Sequence, residues 1–110
     1  MLIPKIDGLQ LHSLIEKHNI VFVEFWAAWC APCQQFAMIY EKEAQYHSDI
    51  VFAKVDVEEQ AELANTLQIR SIPHVVVFKN AQLVYSESGS MPASALNDLI
   101  NQAKELEVEK

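Results

Sequence analysis

The chain has 110 residues, of which 15 are acidic, 8 are basic and 51% are apolar. That length predicts a single domain over residues 1–110, because single domains cluster at about 100–150 residues. The ordinary apolar content excludes disorder over most of the chain. A formal charge of −7 leaves no basic stripe and argues against nucleic acid or an anionic membrane as the main partner.

The sequence also bears on the compartment. Its longest apolar stretch, 20–33, is interrupted by Glu24 and is shorter than the ~18 residues that a spanning helix needs. The first residues lack the basic segment, apolar run and cleavage site of a secretory signal. Two cysteines are too few for the disulfide framework of a small secreted domain. We therefore expect a cytoplasmic protein, in which a cysteine pair is more often catalytic or metal-binding than structural.

Three elements are predicted before residue 50. A short first helix, with Asp7 as its N-cap, is predicted by four apolar residues at helical spacing, Leu9, Leu11, Leu14 and Ile15. Residues 20–26 are β-branched and aromatic and are apolar on both faces, which predicts a central strand. Residues 33–47 lack Gly and Pro and are rich in Gln, Glu, Ala and Met, which predicts a second helix.

A strand and a third helix are predicted next. The strand covers 50–56, because its residues are mostly apolar and β-branched. Asp56 is followed three residues later by Glu59, an arrangement that resembles a capping box. We therefore expect a helix to begin there and to run through Leu67.

A hairpin and a last helix complete the predicted fold. Strands at 75–78 and 83–85 are joined by a turn at 80–81. Pro92 is placed just inside the last helix. The apolar stripe of that helix consists of Leu96, Leu99, Ile100 and Ala103. Residues 105–110 are expected to form a solvated tail. This order of elements predicts an α/β fold, in which a mixed central sheet carries helices on both faces.

The segment Cys-Ala-Pro-Cys, residues 30–33, lies where the strand ending at Trp26 gives way to a helix. Unpaired N–H groups and the positive end of the helix dipole face Cys30, which favours its thiolate form. Cys33 is one helical turn away and within disulfide reach. Pro32 fits the first turn, because the N–H that it lacks has no helical partner there. We therefore expect an exposed attacking thiolate and a shielded resolving thiol.

The cysteine pair has a second interpretation, as an inert reduced pair or half of a zinc site. Structural zinc needs about four ligands, and the sequence has no second cysteine pair. The histidines are scattered, without the spacing of a metal site: His12, His18, His47 and His74. No metal site is expected, and the position of the pair between strand and helix favours redox chemistry.

Residues 25–33, Phe-Trp-Ala-Ala-Trp-Cys-Ala-Pro-Cys, closely resemble the active-site segment of thioredoxins. Residues 70–73, Arg-Ser-Ile-Pro, precede a Val/Phe strand and are similar to the cis-proline loop of that family. Residues 78–80 and 88–90 fall where thioredoxins place a hairpin turn and a groove glycine. The resemblance covers essentially the full length and implies one thioredoxin domain with the thioredoxin fold.

The resemblance implies a catalytic role for four residues. Cys30 attacks a substrate disulfide and Cys33 resolves the mixed disulfide, with no cofactor besides this redox-active pair. Glu24 falls where thioredoxins keep a buried acid that manages the proton of the second cysteine, and Lys54 matches the lysine paired with it. An acid in an apolar strand is costly unless it is paired or its pKa is raised. A solvated edge position for Glu24 and a solvated strand position for Lys54 are the alternatives.

The resemblance also implies a substrate groove. Pro73, in the cis form, packs beside the disulfide, and the Ile72 backbone pairs with extended substrate as an added strand does. The other groove residues are Trp29, Ala31, Pro32 and Gly89. The implied partners are proteins with disulfides and a thioredoxin reductase that supplies electrons.

Four residues depart from the family's pattern. Ala31 replaces the usual Gly, which stiffens the turn, and Glu24 is one methylene longer than the usual Asp. Met38 stands where a proline commonly kinks the second helix. His74 occupies a position where a small hydroxyl residue is common, and we interpret it as a loop residue in preference to a pH-sensitive group.

The predicted function is protein-disulfide reduction by a thiol–disulfide oxidoreductase. One alternative is a binding or adaptor module of thioredoxin fold with incidental redox activity, and another is a disulfide oxidant or isomerase. Both cysteines and Pro73 are present, which argues against the adaptor. The lack of a secretory signal argues against the oxidising role.

Overall fold

A computed structural model describes residues 3–108. Four helices and four strands lie within that range. In chain order they are α1 (Gly8–Lys17), β1 (Ile20–Trp26), α2 (Ala31–Ala44), β2 (Val51–Asp56), α3 (Ala61–Thr66), β3 (His74–Lys79), β4 (Gln82–Ser88) and α4 (Ala93–Glu105). None of the helices in this part of the chain has the length and apolar character needed to cross a membrane.

The strands form one mixed sheet in the order β2-β1-β3-β4. β1 runs parallel to β2 and antiparallel to β3, and β3 and β4 form a hairpin. Side chains of α2 and α4, such as Phe36 and Leu96, pack on one face with Phe22. Leu11 of α1 and Leu63 of α3 pack on the other face. The predicted α/β architecture is therefore confirmed, because both central strands are apolar on both faces and need cover on each.

The first helix begins as the sequence predicts. The side chain of Asp7 accepts a hydrogen bond from the backbone N–H of Gln10 at 2.8 Å, and the Gln10 side chain accepts from the N–H of Asp7 at 2.9 Å. The two bonds form a capping box. Leu11 is buried, but Leu9 is exposed, so its assignment to the apolar side was wrong. Successive residues of an α-helix lie about 100° apart, which places Leu9 opposite Leu11.

Other helix ends differ from the predictions by a few residues. Cys30 caps α2 with its side chain, so this helix begins at Ala31, two residues before the predicted start. The Asp56 carboxylate accepts from the backbone N–H groups of Glu58 and Glu59, which satisfies these groups in a turn and delays α3. Pro92 is the N-cap of α4 and not its first helical residue.

The side chains of residues 105–107 are exposed, as expected for the predicted tail, but the backbone is held in place as far as residue 108. Lys79, buried at the end of β3, donates through Nζ to the carbonyl oxygens of Ala103, Lys104 and Leu106. The Asn80 side chain donates to the carbonyl of Val108 at 3.1 Å. The chain after α4 is therefore tied to the hairpin turn. The last two residues of the predicted tail lie outside the described range.

Candidate active site

Cys30 and Cys33 are joined by a disulfide, with their Cα atoms 5.2 Å apart. Cys30 is the N-cap of α2, and Cys33 lies in the first turn of that helix. The cysteines follow β1, which ends at Trp26. This strand is central in the sheet, since its last residues pair with β2 and with β3. The pair therefore lies at the carboxyl end of the central strand, as the sequence predicts.

The helix N-terminus acts directly on Cys30. The backbone N–H of Cys33 donates to Sγ of Cys30 at 3.2 Å. An N–H group held there stabilises negative charge on the sulfur, and the helix dipole acts in the same direction. Cys30 is thus placed to be the attacking thiolate once the disulfide is reduced.

The two cysteines differ less in exposure than the sequence interpretation expected. Cys30 is 4% exposed and Cys33 is 2% exposed in the disulfide form. Val57 and Ile72 pack against the buried cluster that both cysteines form with Ala27, so Cys30 is covered as well as Cys33. The expectation of one exposed and one shielded sulfur is therefore wrong for this oxidised structure.

The loop before β3 closes over the disulfide. The peptide bond between Ile72 and Pro73 is cis, as the resemblance implied, and Sγ of Cys30 lies 3.9 Å from the carbonyl oxygen of Ile72. Gly89 donates its N–H to the carbonyl of Pro73 at 2.7 Å, and its φ of 112° is a conformation that favours glycine. Among residues 3–108, Ile72 forms no hydrogen bond to another main-chain group, which leaves its backbone available to an extended partner.

Glu24 lies at the centre of β1 and is 1% exposed. Its Oε2 has no hydrogen-bond partner within the described residues. Burial raises the pKa of Glu24 from 4.5 to about 7, against the lowering effect of the Lys54 cation and with a further increase from the Glu41 carboxylate. The solvated-edge alternative for Glu24 is therefore excluded.

A cavity of about 280 Å³ connects Glu24 with the disulfide, since Glu24, Lys54 and Cys33 all line it. Trp26 also lines this cavity, and its indole Nε1 lacks a partner among residues 3–108. Lys54 is half-buried, and its Nζ lies 5.4 Å from the centre of the Trp26 ring. Two residues that line this cavity, Glu24 and Trp26, therefore each have a buried polar atom without a hydrogen-bond partner among residues 3–108.

A second cavity, of about 380 Å³, lies between Trp29, which precedes Cys30, and the loop before the cis proline. Its lining residues are Trp29, Val57, Ile69, Arg70, Ser71 and Ile72. Trp29 is 67% exposed, so the cavity opens to solvent beside Cys30. We refer to it as the Trp29 groove.

The structure brings only some of the predicted groove residues together. Trp29 and Ile72 line the Trp29 groove, whereas Ala31, Pro32 and Gly89 are exposed but do not line it. The other four lining residues were not predicted as site residues: Val57, Ile69, Arg70 and Ser71. For Arg70 a signal existed, because it precedes Ile72 by two residues in the same predicted loop.

Two departures from the family's pattern have defined places. His74 is the first residue of β3, not a loop residue as expected, and is buried. Its Nε2 lies 2.8 Å from Oγ of Ser86. Burial lowers the pKa of His74, although the Glu87 carboxylate and the Ser71 carbonyl oppose this. Met38 lies on the exposed side of α2, which continues through it from Ala31 to Ala44.

A metal centre finds no support in the part of the chain that is described. Residues 3–108 contain no group of three or more His, Cys, Asp or Glu side chains that could hold a metal ion. Both cysteines are engaged in their mutual disulfide.

A cysteine pair at a helix N-terminus, faced by a cis-proline loop on a mixed sheet, defines a thiol–disulfide oxidoreductase of thioredoxin fold. Comparison with known proteins agrees. The family model described as thioredoxin matches residues 5–102. The chain therefore belongs to the thioredoxin family.

Individual relatives extend this result. A Streptomyces coelicolor protein with the provisional name thioredoxin 2 is 41% identical over 96 residues, which are 87% of this chain and 72% of that protein. Thioredoxin of Mycoplasma pneumoniae is 37% identical over 84% of this chain and 91% of its own. The thioredoxin structure from Plasmodium falciparum superposes with a TM-score of 0.84 at 34% identity, covering 92% of this chain and 98% of that one.

Proposed function

We propose that the protein reduces disulfides in protein substrates with the Cys30 and Cys33 pair. The observation that carries this proposal is the hydrogen bond from the Cys33 N–H to Sγ of Cys30, at 3.2 Å. This contact prepares one sulfur to act as a thiolate, and a second sulfur lies within bonding reach. Membership of the thioredoxin family supports the same chemistry.

The reaction proceeds in two exchanges. The Cys30 thiolate attacks one sulfur of the substrate disulfide, forms a mixed disulfide and releases the other substrate sulfur as a thiolate. The thiol of Cys33 then loses its proton and attacks Sγ of Cys30. This second step forms the Cys30–Cys33 disulfide and releases the second substrate thiolate. The substrate gains two electrons, and the protein loses two.

Glu24 is proposed to accept the proton of Cys33 in the second exchange. Both residues line the 280 Å³ cavity, and a carboxylate with a pKa of about 7 can exchange a proton near neutral pH. Lys54 supports this role by lowering that pKa. It acts through charge, since no ion pair joins it to Glu24 within residues 3–108.

The substrate is proposed to bind as an extended segment along the cis-proline loop. The backbone of Ile72 pairs with it as one strand pairs with another, while Pro73 and Trp29 hold it beside Cys30. Gly89 orders this loop through its bond to the Pro73 carbonyl. Ala31 and Pro32 form the exposed rim at the start of α2.

We further propose that the whole chain works as one thioredoxin domain in the cytoplasm. A thioredoxin reductase passes electrons to the Cys30–Cys33 disulfide, and the resulting dithiol passes them to substrates. This places the protein in the electron transport that maintains cellular redox balance. The electrons are carried by the cysteine pair alone, so the proposed exchange needs no cofactor or metal.

Two cysteine variants and a redox titration test the proposal. Cys30→Ser is expected to abolish reduction of insulin disulfides, and Cys33→Ser to accumulate mixed disulfides with substrate. The fluorescence of the exposed Trp29 is the signal for a redox titration in dithiothreitol buffers. The expected midpoint is the reduction potential of thioredoxin, about −270 mV. Full activity in both variants contradicts the mechanism. A midpoint above about −200 mV indicates an oxidant or isomerase instead.

A further inference from the structure

Arg70 is the single arginine in a chain of net charge −7. It is exposed on the wall of the Trp29 groove, where its neighbours in the lining are mostly apolar. No carboxylate of residues 3–108 forms an ion pair with it. A guanidinium with five donors in a planar fork therefore borders the groove without a partner from the same chain.

The acidic residues next to the groove residue Val57 in the chain form no ion pair with Arg70. Asp56 accepts from the backbone N–H of Glu58 at 2.8 Å, and Glu59 forms an ion pair with Lys5 at 3.0 Å. Glu58 follows the groove residue Val57 but is exposed. Arg70 thus remains available to a carboxylate from outside the chain.

The groove adjoins the reacting sulfurs. Val57 and Ile72 line it and also pack against the disulfide, and the Ile72 carbonyl lies 3.9 Å from Sγ of Cys30. Arg70 precedes Ile72 by two residues. A strand advances about 3.3 Å per residue. In an extended substrate bound along Ile72, a residue close to the substrate's cysteine therefore lies beside the Arg70 guanidinium.

We infer that Arg70 selects protein disulfides whose cysteine has an aspartate or glutamate about two residues away. This inference rests on the proposed function and names its substrate class. The acidic side chain pairs with the Arg70 guanidinium while the segment's backbone pairs with Ile72. Because the rest of the protein is acidic, this local contact opposes the general repulsion that such a substrate meets.

Disulfide-linked peptide dimers test the inference. Three peptides differ only at the positions two residues before and after the cysteine, which hold Glu, Gln or Lys. The reduced protein is expected to cleave the Glu peptide fastest, with kcat/KM about fivefold above the Gln peptide, as for an exposed ion pair. Arg70→Gln removes this ratio and Arg70→Glu reverses it in favour of Lys. The ratio of the Glu peptide to the Gln peptide should also decrease in 1 M salt, where the Debye length is about 3 Å and exposed ion pairs are strongly screened.

Lys17→Gln is the matched control, since it removes one positive charge from the exposed end of α1 and should keep the Glu to Gln ratio of the wild-type protein. A faster reaction of the Lys peptide in the wild-type protein overturns the inference. The inference is also overturned if the ratio of kcat/KM for the Glu and Gln peptides is the same in wild type and Arg70→Gln. If no peptide is reduced at all, the proposed function fails, and the inference fails with it.

Discussion

Glu24 and Lys54 are direct neighbours across the parallel strands β1 and β2, yet no ion pair joins them within the described part of the chain. The Lys54 ammonium lies over the ring of Trp26. Oε2 of Glu24 is therefore buried without a hydrogen-bond partner among residues 3–108. Desolvation dominates under these conditions, so the pKa of Glu24 rises to about 7.

This raised pKa makes stability depend on pH. The folded state holds the Glu24 proton up to about pH 7, whereas the unfolded state releases it near pH 4.5, so the folded state binds more protons between these values. The stabilising contribution of the bound proton is therefore lost as pH rises from about 4.5 to 7. Above pH 7 the buried charge costs about 3 kcal/mol. Glu24→Gln carries no charge, so its free energy of unfolding lacks this pH dependence. Its stability relative to wild type should therefore increase by about 2 kcal/mol as pH rises from 5.5 to 8.5. Urea unfolding measures this difference.

Glu62→Gln provides the control for this measurement, because Glu62 is exposed in α3. Its difference in free energy of unfolding from wild type should stay nearly constant over the same pH range. The prediction is contradicted if both variants show the same pH dependence.

The same residue is expected to control the rate of the second exchange. Glu24→Gln cannot accept the Cys33 proton, so decay of a mixed disulfide should slow by at least about tenfold at pH 7. In the wild-type protein this rate should rise through pH 7, following the deprotonation of Glu24. Rapid-mixing kinetics with a single mixed-disulfide turnover measure it. An unchanged pH profile in the variant assigns the proton transfer to another group.

Lys79 is expected to stabilise the end of α4. Its ammonium is buried and donates to three carbonyl groups at that end. Lys79→Met leaves these carbonyls unpaired and should lower the free energy of unfolding by about 2–4 kcal/mol. Hydrogen exchange should also speed up in the last turn of α4. Lys42→Met, at an exposed position of α2, should leave both quantities nearly unchanged.

The hairpin turn offers a stabilising substitution. Asn80 and Ala81 have φ values of 52° and 64°, which is typical of a two-residue hairpin turn. Asn tolerates this conformation, whereas Ala is strained by its Cβ. Ala81→Gly should therefore raise the free energy of unfolding by about 1 kcal/mol. The same change inside a helix, Ala95→Gly in α4, should lower it by about 1 kcal/mol. Equal signs for the two variants contradict this explanation.

The candidate site was predictable where neighbours in the chain create it. Cys30 and Cys33 are joined by one helical turn, and the first turn of α2 supplies the N–H that contacts Sγ of Cys30. Residue type and spacing are enough to predict these relations. The burial of Glu24 was also predictable, because β1 is apolar on both faces. The absence of an ion pair between Glu24 and Lys54 was not predictable, because the Lys54 side chain lies over the Trp26 ring.

Sequence alone determined the order of the elements, the central strand and the place of the cysteine pair. Apolar periodicity, capping residues and turn residues act over a few positions, so they can be read locally. Only the tertiary structure decided that Val57 borders the groove of Trp29 and that Lys79 holds the end of α4. These contacts join residues far apart in the chain, and the packing of the sheet and its helices decides which of them meet. That packing defines the groove, the unpaired carboxylate and the proposed substrate preference.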